Sequence, residues 1–271
     1  GLLDSQSRKL LLKGVSSFIY AHPDNLIFLR DSTLFAQRFD GDRFELLGQP
    51  VALAEEALSP VSASQNGAVT YRTVKTGPDH FLWIKQDGTE IGAAVPPGYY
   101  VDPDLSPDGS KLAFASRESP GAGLDIWILE FASGVLRRFT LDAANNRAPH
   151  WSTDGSTIVF LSSRSSAPGL YRKNSYGVGA EELILPSSVP VWPYQMSPDG
   201  HHLLYFAGVS GAMDIMMMSL DDLKSTPLIQ TRFNEVDGAL SPDGRWLAYV
   251  SNESGRYEIY LTTFPPSSTK L

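Results

Sequence analysis

The chain has 271 residues, of which 42% are hydrophobic, and a formal net charge of −8 at pH 7. This acidic balance argues against nucleic acid or an anionic membrane surface as the main partner, because both attract basic proteins. The chain contains no cysteine, which excludes disulfides and thiol nucleophiles. No apolar run reaches the roughly 18 residues of a membrane helix, so we expect no direct membrane insertion.

The first predicted element is a strand at residues 7–12, which has no other strand before it. Two weakly marked units follow, one centred on a turn at Asp24 and one on a turn at Asn66. Asp-Asn and Asn-Gly suit tight hairpin turns, because these residues tolerate the positive φ that such turns require. The sequence opens with glycine, so we expect the chain to be a piece of a longer protein.

Four strongly marked units come next, each carrying the tetrapeptide Ser-x-Asp-Gly. Their aspartates are Asp108, Asp154, Asp199 and Asp243, at successive steps of 46, 45 and 44 residues. Each unit has room for four short strands with aromatic residues at matching places, which is typical of a β-propeller blade. We predict an all-β fold, a six-bladed β-propeller of four-stranded antiparallel blades, forming a single domain over residues 1–271. The blades are centred on turns at residues 24, 66, 108, 154, 199 and 243.

The two ends of the chain predict how the ring closes. The last unit lacks its fourth strand, because only residues 269–271 follow a Pro-Pro-Ser-Ser stretch. The N-terminal strand at residues 7–12, which ends in three leucines, is unattached. We therefore predict that the N-terminal strand completes the last blade, which would leave no exposed edge at the junction.

The motif Ser-Pro-Asp-Gly, followed by an apolar strand and then by Asp-Ile-Trp or Glu-Ile-Tyr, resembles the TolB-type, WD-repeat-like propeller family. The resemblance rests on residues 106–116 with 125–127, on 152–162, and on 241–251 with 258–260. It implies the fold and leaves the ligand open.

A second resemblance is to propellers found C-terminal to bacterial Ser/Thr protein kinases. It rests on residues 233–260 and on residues 34–40 with 48–51. It implies an extracytoplasmic or periplasmic sensing or docking module, whose parent protein would carry the kinase domain. This chain has no Gly-rich phosphate loop, His-Arg-Asp or Asp-Phe-Gly motif, and no Gly-x-Ser-x-Gly elbow. We therefore predict that it is not itself an enzyme.

The repeated aspartates are poor candidates for catalysis, because each unit carries one and catalysis needs a unique group; we expect them to bond their own turns. Residues that differ between units, on the inner strands and the loops leading into them, are better candidates. We predict that they form a binding site for a protein or peptide at the mouth of the central channel. The predicted residues are Tyr99, Tyr100, Asp102, Asp104, Arg147, His150, Trp192, Gln195, Glu235 and Asp237.

Two other interpretations remain open. In the first, the loop residues pack against one another and the propeller is a scaffold without a small-molecule site. In the second, the chain is a propeller hydrolase or lactonase with a metal in the channel. The possible donors would then be Asp102, Asp104, His150 and Asp237. We favour the binding module, and so expect neither a metal nor a cofactor; the oligomeric state stays open.

Overall fold

The computed structural model describes residues 9–15, 17–21, 24–41, 43, 45–63, 69–73, 81–84, 90–93, 95–119, 121–142, 144–209 and 211–264. Every regular element in this part of the chain is a β-strand. The strands are β1 Lys9–Lys13, β2 Ser17–Ala21, β3 Asn25–Arg30, β4 Thr33–Asp40, β5 Glu45–Ala54, β6 Ala57–Ala63, β7 Val69–Thr73, β8 Leu82–Ile84, β9 Glu90–Ala93, β10 Tyr100–Leu105, β11 Lys111–Ser116, β12 Asp125–Glu130, β13 Val135–Arg138, β14 Asn146–Trp151, β15 Thr157–Ser162, β16 Gly169–Asn174, β17 Glu182–Pro186, β18 Val191–Met196, β19 His202–Val209, β20 Ala212–Ser219, β21 Ser225–Ile229, β22 Glu235–Leu240, β23 Trp246–Ser251 and β24 Glu258–Thr263.

The described strands form five four-stranded antiparallel blades, which we name after their inner strands. The β2 blade contains β2–β5, the β10 blade β10–β13, the β14 blade β14–β17 and the β18 blade β18–β21. The β22 blade contains β22–β24 and is completed by β1. The all-β propeller architecture therefore agrees with the prediction.

The predicted number of blades is wrong, because the described residues form five four-stranded blades and not six. The second unit forms two separate two-stranded sheets among the described residues, β6 with β7 and β8 with β9. Strand β8 has only three residues, and its pairing with β9 shifts register between Trp83 and Ile84. No ladder joins β7 to β8 among the described residues, so the two pairs do not form one four-stranded blade. The turn predicted at Asn66 lies outside the described residues.

The predicted ring closure is confirmed. Strand β1 pairs antiparallel with β24, with Leu10 opposite Tyr260 and Leu12 opposite Ile259. Leu12 is buried in the apolar cluster that also contains Phe28 of the β2 blade. The N-terminal strand therefore covers the edge that β24 would otherwise expose.

The Ser-x-Asp-Gly tetrapeptide builds the turn between the first two strands of a blade. In the β10 blade, the Ser106 hydroxyl donates to Asp108 Oδ1 at 2.6 Å and accepts from the Lys111 N–H at 2.9 Å. Gly109 supplies the left-handed conformation, with φ of 67°. Hydrogen bonds from Ser106 and Ser110 lower the pKa of Asp108 to about 2. The same serine–aspartate bond recurs in the other three turns, so the structural role expected for these aspartates is confirmed.

The hydrophobic core lies between neighbouring blades, and a ring stands at the same place in the second strand of each blade. These residues are Phe28, Phe114, Phe160, Tyr205 and Tyr249, all buried. In four of the blades the ring lies opposite another aromatic residue of the third strand, and in the β18 blade it lies opposite a methionine. The aromatic residues of successive units thus occupy equivalent packing positions.

Candidate binding site in the central channel

A central cavity of about 280 Å³ runs between the inner strands of the ring. Its walls come from β2, β6, β10, β14, β18 and β22, so the incomplete second unit still contributes its inner strand. Because inner strands present alternate residues to the channel, positions that differ from blade to blade determine its chemistry.

A shared backbone irregularity shapes the channel wall. Strands β10, β14 and β22 each contain a β-bulge, and the first bulged residue is left-handed: φ is 53° at Asp102, 50° at Ala148 and 48° at Asp237. Pro193 occupies the same position of β18, where its ring excludes a positive φ. There the register skips only one residue, between Pro193 and Gln195. Bulges redirect side chains at such sites, so this position sets what points into the channel.

Three of the predicted residues form one continuous set of contacts along three inner strands. Arg147 Nε and Nη2 donate to the two oxygens of Asp102 at 2.9 and 3.1 Å. The Ala148 N–H adds a third bond to Asp102, at 3.1 Å. The Arg147 guanidinium also lies over the Trp192 ring, 4.7 Å from its centre. Arg147 is therefore held between a carboxylate and an indole ring.

Asp104 lines the channel, but protein groups already use its carboxylate. Ser62 donates to Oδ1 at 2.9 Å, and the Trp151 N–H donates to Oδ2 at 2.9 Å. His150 Nδ1 lies 3.7 Å from Oδ2. Burial raises the pKa of Asp104, and the nearby His150 opposes that rise. The structure thus brings Asp104 and His150 together, in a contact that joins two blades.

Gln195 shows that this inner-strand position has a structural use that the sequence did not reveal. Its Oε1 accepts the Leu240 N–H of the next blade at 2.7 Å. Ser62 accepts the Leu105 N–H at 3.1 Å in the same way. Each acceptor lies two residues before the serine that begins the turn segment of its unit, as Asp104 does. The recurrence of a polar residue there was the available signal for a bond between blades.

Tyr99, Tyr100 and Glu235 do not line the cavity. Tyr99 stacks under Arg117, whose guanidinium carbon lies 3.6 Å from the ring centre. Tyr100 is buried in the core and donates to the Pro96 carbonyl at 2.6 Å. Glu235 is buried and accepts a hydrogen bond from Thr231 at 2.6 Å. Tyr100 and Glu235 are thus packed inside the protein, whereas Tyr99 is an exposed ring outside the cavity.

Asp237 differs from the other channel carboxylates. It lines the cavity, and no described residue forms a hydrogen bond or ion pair with it. Burial raises its pKa to about 6. Nearby, the Tyr194 hydroxyl is buried without a hydrogen-bond partner among the described residues, and the Asp237 charge adds to a pKa already raised by burial. A Cβ atom on Gly238 would overlap this hydroxyl.

The side chains named as possible metal donors can be compared with the geometry that a metal ion requires. Within the described part of the chain, no three histidine or carboxylate side chains are close enough together to hold a metal ion. The possible donors named from the sequence are instead engaged with protein groups or separated. The described residues contain no helix with the length and apolar character needed to cross a membrane.

Comparison with known proteins agrees with this architecture. The model of the TolB beta propeller domain, PD40, matches residues 30–263. The uncharacterized peptidase YuxL of Bacillus subtilis is 26% identical over 196 residues, covering 56% of this chain and 29% of that protein. The Tol-Pal system protein TolB of Francisella tularensis is 25% identical over 163 residues, covering 59% of this chain and 37% of that protein. The chain thus spans about a third of the length of these two relatives.

Among solved structures, TolB from Acinetobacter baumannii superposes with a TM-score of 0.69 at 20% identity. The match covers 86% of this chain and 57% of that one, and at this identity it supports the fold alone. Because the family model spans most of the sequence, the chain belongs to the TolB beta propeller domain family.

Proposed function

We propose that this propeller is a non-enzymatic binding module whose central channel accepts a segment of a protein or peptide partner. The observation that carries the proposal is the cavity itself, which presents Trp192, Tyr194 and the carboxylate of Asp237 on neighbouring walls. Aromatic residues are enriched at binding hot spots because they bury large surfaces. A volume of about 280 Å³ admits one or two side chains and excludes a folded domain.

The enzymatic alternative is less well supported by the geometry of this chain. One relative is described as an uncharacterized peptidase, and it is about as similar to this chain as the Tol-Pal protein is. However, Asp102 is bonded to Arg147, and Asp104 is bonded to Ser62 and Trp151. A general acid, base or metal ligand needs an available polar atom directed at substrate. The available groups of this channel suit binding better than hydrolysis.

A finer proposal concerns the role of the propeller in the cell. The resemblance of residues 233–260 to kinase-associated propellers supports an extracytoplasmic sensing module. The complete coding sequence provides the test, together with cell fractionation of the tagged protein. A kinase domain followed by a membrane helix would support the sensor. Recovery of the propeller in the cytoplasmic fraction would contradict it.

The binding proposal is tested by selecting peptides from a displayed random library and measuring their affinity by fluorescence polarisation. We expect selected peptides to bind with a Kd below about 100 µM. Replacing Trp192 with alanine should weaken binding about tenfold or more. Tyr176→Ala removes an exposed ring outside the channel and serves as the matched control. Binding that survives Trp192→Ala unchanged, or a library that yields no binder, would overturn the proposal.

A further inference from the structure

Asp102 and Asp237 occupy the same position in two blades. Each lies four residues before the motif serine, each is the left-handed residue of its β-bulge, and each lines the channel. Their backbone settings are therefore equivalent, and a difference between them must come from the neighbouring blade.

The neighbour of Asp102 supplies a cation. Arg147, seven residues before the turn aspartate of the β14 blade, makes two hydrogen bonds to Asp102 and lies over the Trp192 ring. A carboxylate at the bulge position therefore forms a bidentate pair with a guanidinium when one is available, and an aromatic face covers the pair.

The neighbour of Asp237 does not supply one. Strand β22 packs beside β2, and the residue seven positions before the Asp24 turn is Ser17. No lysine or arginine is among the described residues that line the cavity. The titratable groups of the lining are Tyr20, Asp102, Asp104, His150, Tyr194 and Asp237. The described lining of the channel is therefore acidic, and Arg147, which pairs with Asp102, lies outside that lining.

An aromatic wall stands next to Asp237. Trp192 and Tyr194 of β18 stack against Phe206 with ring centres 6.4 and 6.0 Å apart, and all three line the cavity. Strands β18 and β22 are adjacent, so the wall and the carboxylate belong to one corner of the channel. That corner has the same two components, carboxylate and aromatic face, that hold Arg147.

We propose that this corner binds a cationic side chain of the partner, the guanidinium of an arginine or the ammonium of a lysine, with Asp237 as its counter-ion and Tyr194 as its aromatic face. This inference rests on the proposed binding function and names the chemical class of the inserted residue. It is supported by the unfavourable setting of Asp237, since folding alone gains nothing from a desolvated carboxylate without a partner.

The test uses small blocked amides, measured by calorimetry at pH 7.5: N-acetyl-arginine methylamide, N-acetyl-lysine methylamide and the uncharged N-acetyl-norleucine methylamide. We expect the two cationic amides to bind and the norleucine amide to bind at least tenfold more weakly. Glycinamide distinguishes a terminal amine from a side chain. Equal affinity for the norleucine amide would overturn the proposal.

The matched variants are Asp237→Asn and Asp221→Asn. Asparagine also tolerates the left-handed backbone, so Asp237→Asn removes the charge without straining the bulge. We expect about tenfold or greater loss of arginine-amide affinity, the effect of losing one charge-assisted hydrogen bond. Asp221→Asn removes the same charge from an exposed site outside the cavity and should leave affinity unchanged. Equal behaviour of the two variants would refute the assignment to Asp237.

Two further outcomes separate this inference from the function on which it rests. If library peptides bind the wild-type protein and Asp237→Asn equally, the binding module stands and the cation site is refuted. If the cationic amides bind but no peptide does, the site stands and the peptide-binding function fails. Calcium chloride is the last ligand to be tested. If Ca²⁺ binds in a way that requires Asp237, and the amides do not bind, the proposal of an organic cation is overturned.

Discussion

Two sides of the channel carry the same carboxylate on the same bulge and use it differently. On the β10 side, Asp102 accepts three hydrogen bonds from the next blade. On the β22 side, Asp237 has no hydrogen bond or ion pair from a described residue, and its pKa is raised to about 6. The difference teaches that the repeat sets the position of a group, whereas the neighbouring blade decides whether that group is structural or available.

Removing the cation from the β10 side should make it resemble the β22 side. Arg147→Ala leaves Asp102 partly buried without its counter-ion and exposes the Trp192 face. We expect the free energy of unfolding in urea at pH 7 to fall by about 2–4 kcal/mol. Methylguanidinium at millimolar concentration should stabilise this variant more than the wild-type protein.

The control for this experiment is Arg245→Ala, which breaks an exposed ion pair with Asp243 and should cost less than about 1 kcal/mol. Similar losses in both arginine variants would show that the pairing of Asp102 contributes no more than a surface contact.

Neutralising Asp237 on the β22 side should change the free energy of unfolding in the opposite direction. The pKa of Asp237 is about 6 in the folded protein against an ordinary 3.8, so the folded state binds more protons between these pH values. Its contribution to stability is therefore present at low pH and is lost as pH rises through about 6. Asp237→Asn should raise the free energy of unfolding at pH 7 by roughly 1–3 kcal/mol, because its remaining exposure to the channel reduces the full effect. The gain should shrink toward pH 4, and urea titrations at several pH values measure it.

The affinity for a cationic ligand should also depend on the titration of Asp237, but it should rise with pH, whereas the stability falls. The cationic amide needs ionised Asp237, which at pH 5 is only about a tenth of the population when its pKa is about 6. We expect arginine-amide affinity to fall about tenfold between pH 7.5 and pH 5. Asp237→Asn is the reference that subtracts contributions from the other titratable groups facing the channel. If the affinity of that variant for the arginine amide depends on pH as strongly as that of the wild-type protein, the effect belongs to one of those other groups.

The contact between β18 and β22 can be tested at Gly238. A Cβ there would overlap the Tyr194 hydroxyl, and the rigid ring has to move to relieve the overlap. Gly238→Ala should lower the free energy of unfolding by about 1–2 kcal/mol. Gly41→Ala is the control, since its Cβ would meet only ordinary contact. An unchanged free energy of unfolding in Gly238→Ala would show that the Tyr194 ring moves aside at little cost.

The smallest effect is expected at the tyrosine hydroxyl itself. Tyr194→Phe removes a buried hydroxyl that has no partner among the described residues. We expect thermal unfolding to show unchanged stability or a gain below about 1 kcal/mol. Cation binding should persist, because the aromatic face remains. A clear loss of stability would indicate that the hydroxyl makes a contact that the described residues do not contain.

The regular features of the fold were predictable from local sequence signals. Ser-x-Asp-Gly gave the turns, because the serine and aspartate bond within the same few residues. The missing fourth strand of the last unit gave the closure by β1. The division of the second unit was not predictable in this way, since its turn signals resemble those of the other weak unit. Whether β7 and β8 join one sheet depends on strand length and pairing, which are tertiary properties.

The site was predicted less well, for a reason visible in Asp104 and Gln195. Both were selected because they face the channel, and both do. Their bonding partners lie about 45 residues along the chain, in the next blade. Local patterns do not report such pairs, whereas comparing equivalent positions of successive units would have shown Ser17 where the β14 blade has Arg147.

The pairing of β1 with β24 has a consequence for assembly. The strand that completes the ring is joined to its blade by ladder hydrogen bonds and apolar packing, while its covalent connection runs to the β2 blade. Released from one molecule, β1 fits the identical vacant edge of another. Two propellers that exchange this strand would form a domain-swapped dimer with the same contacts as the monomer, and high concentration would favour it.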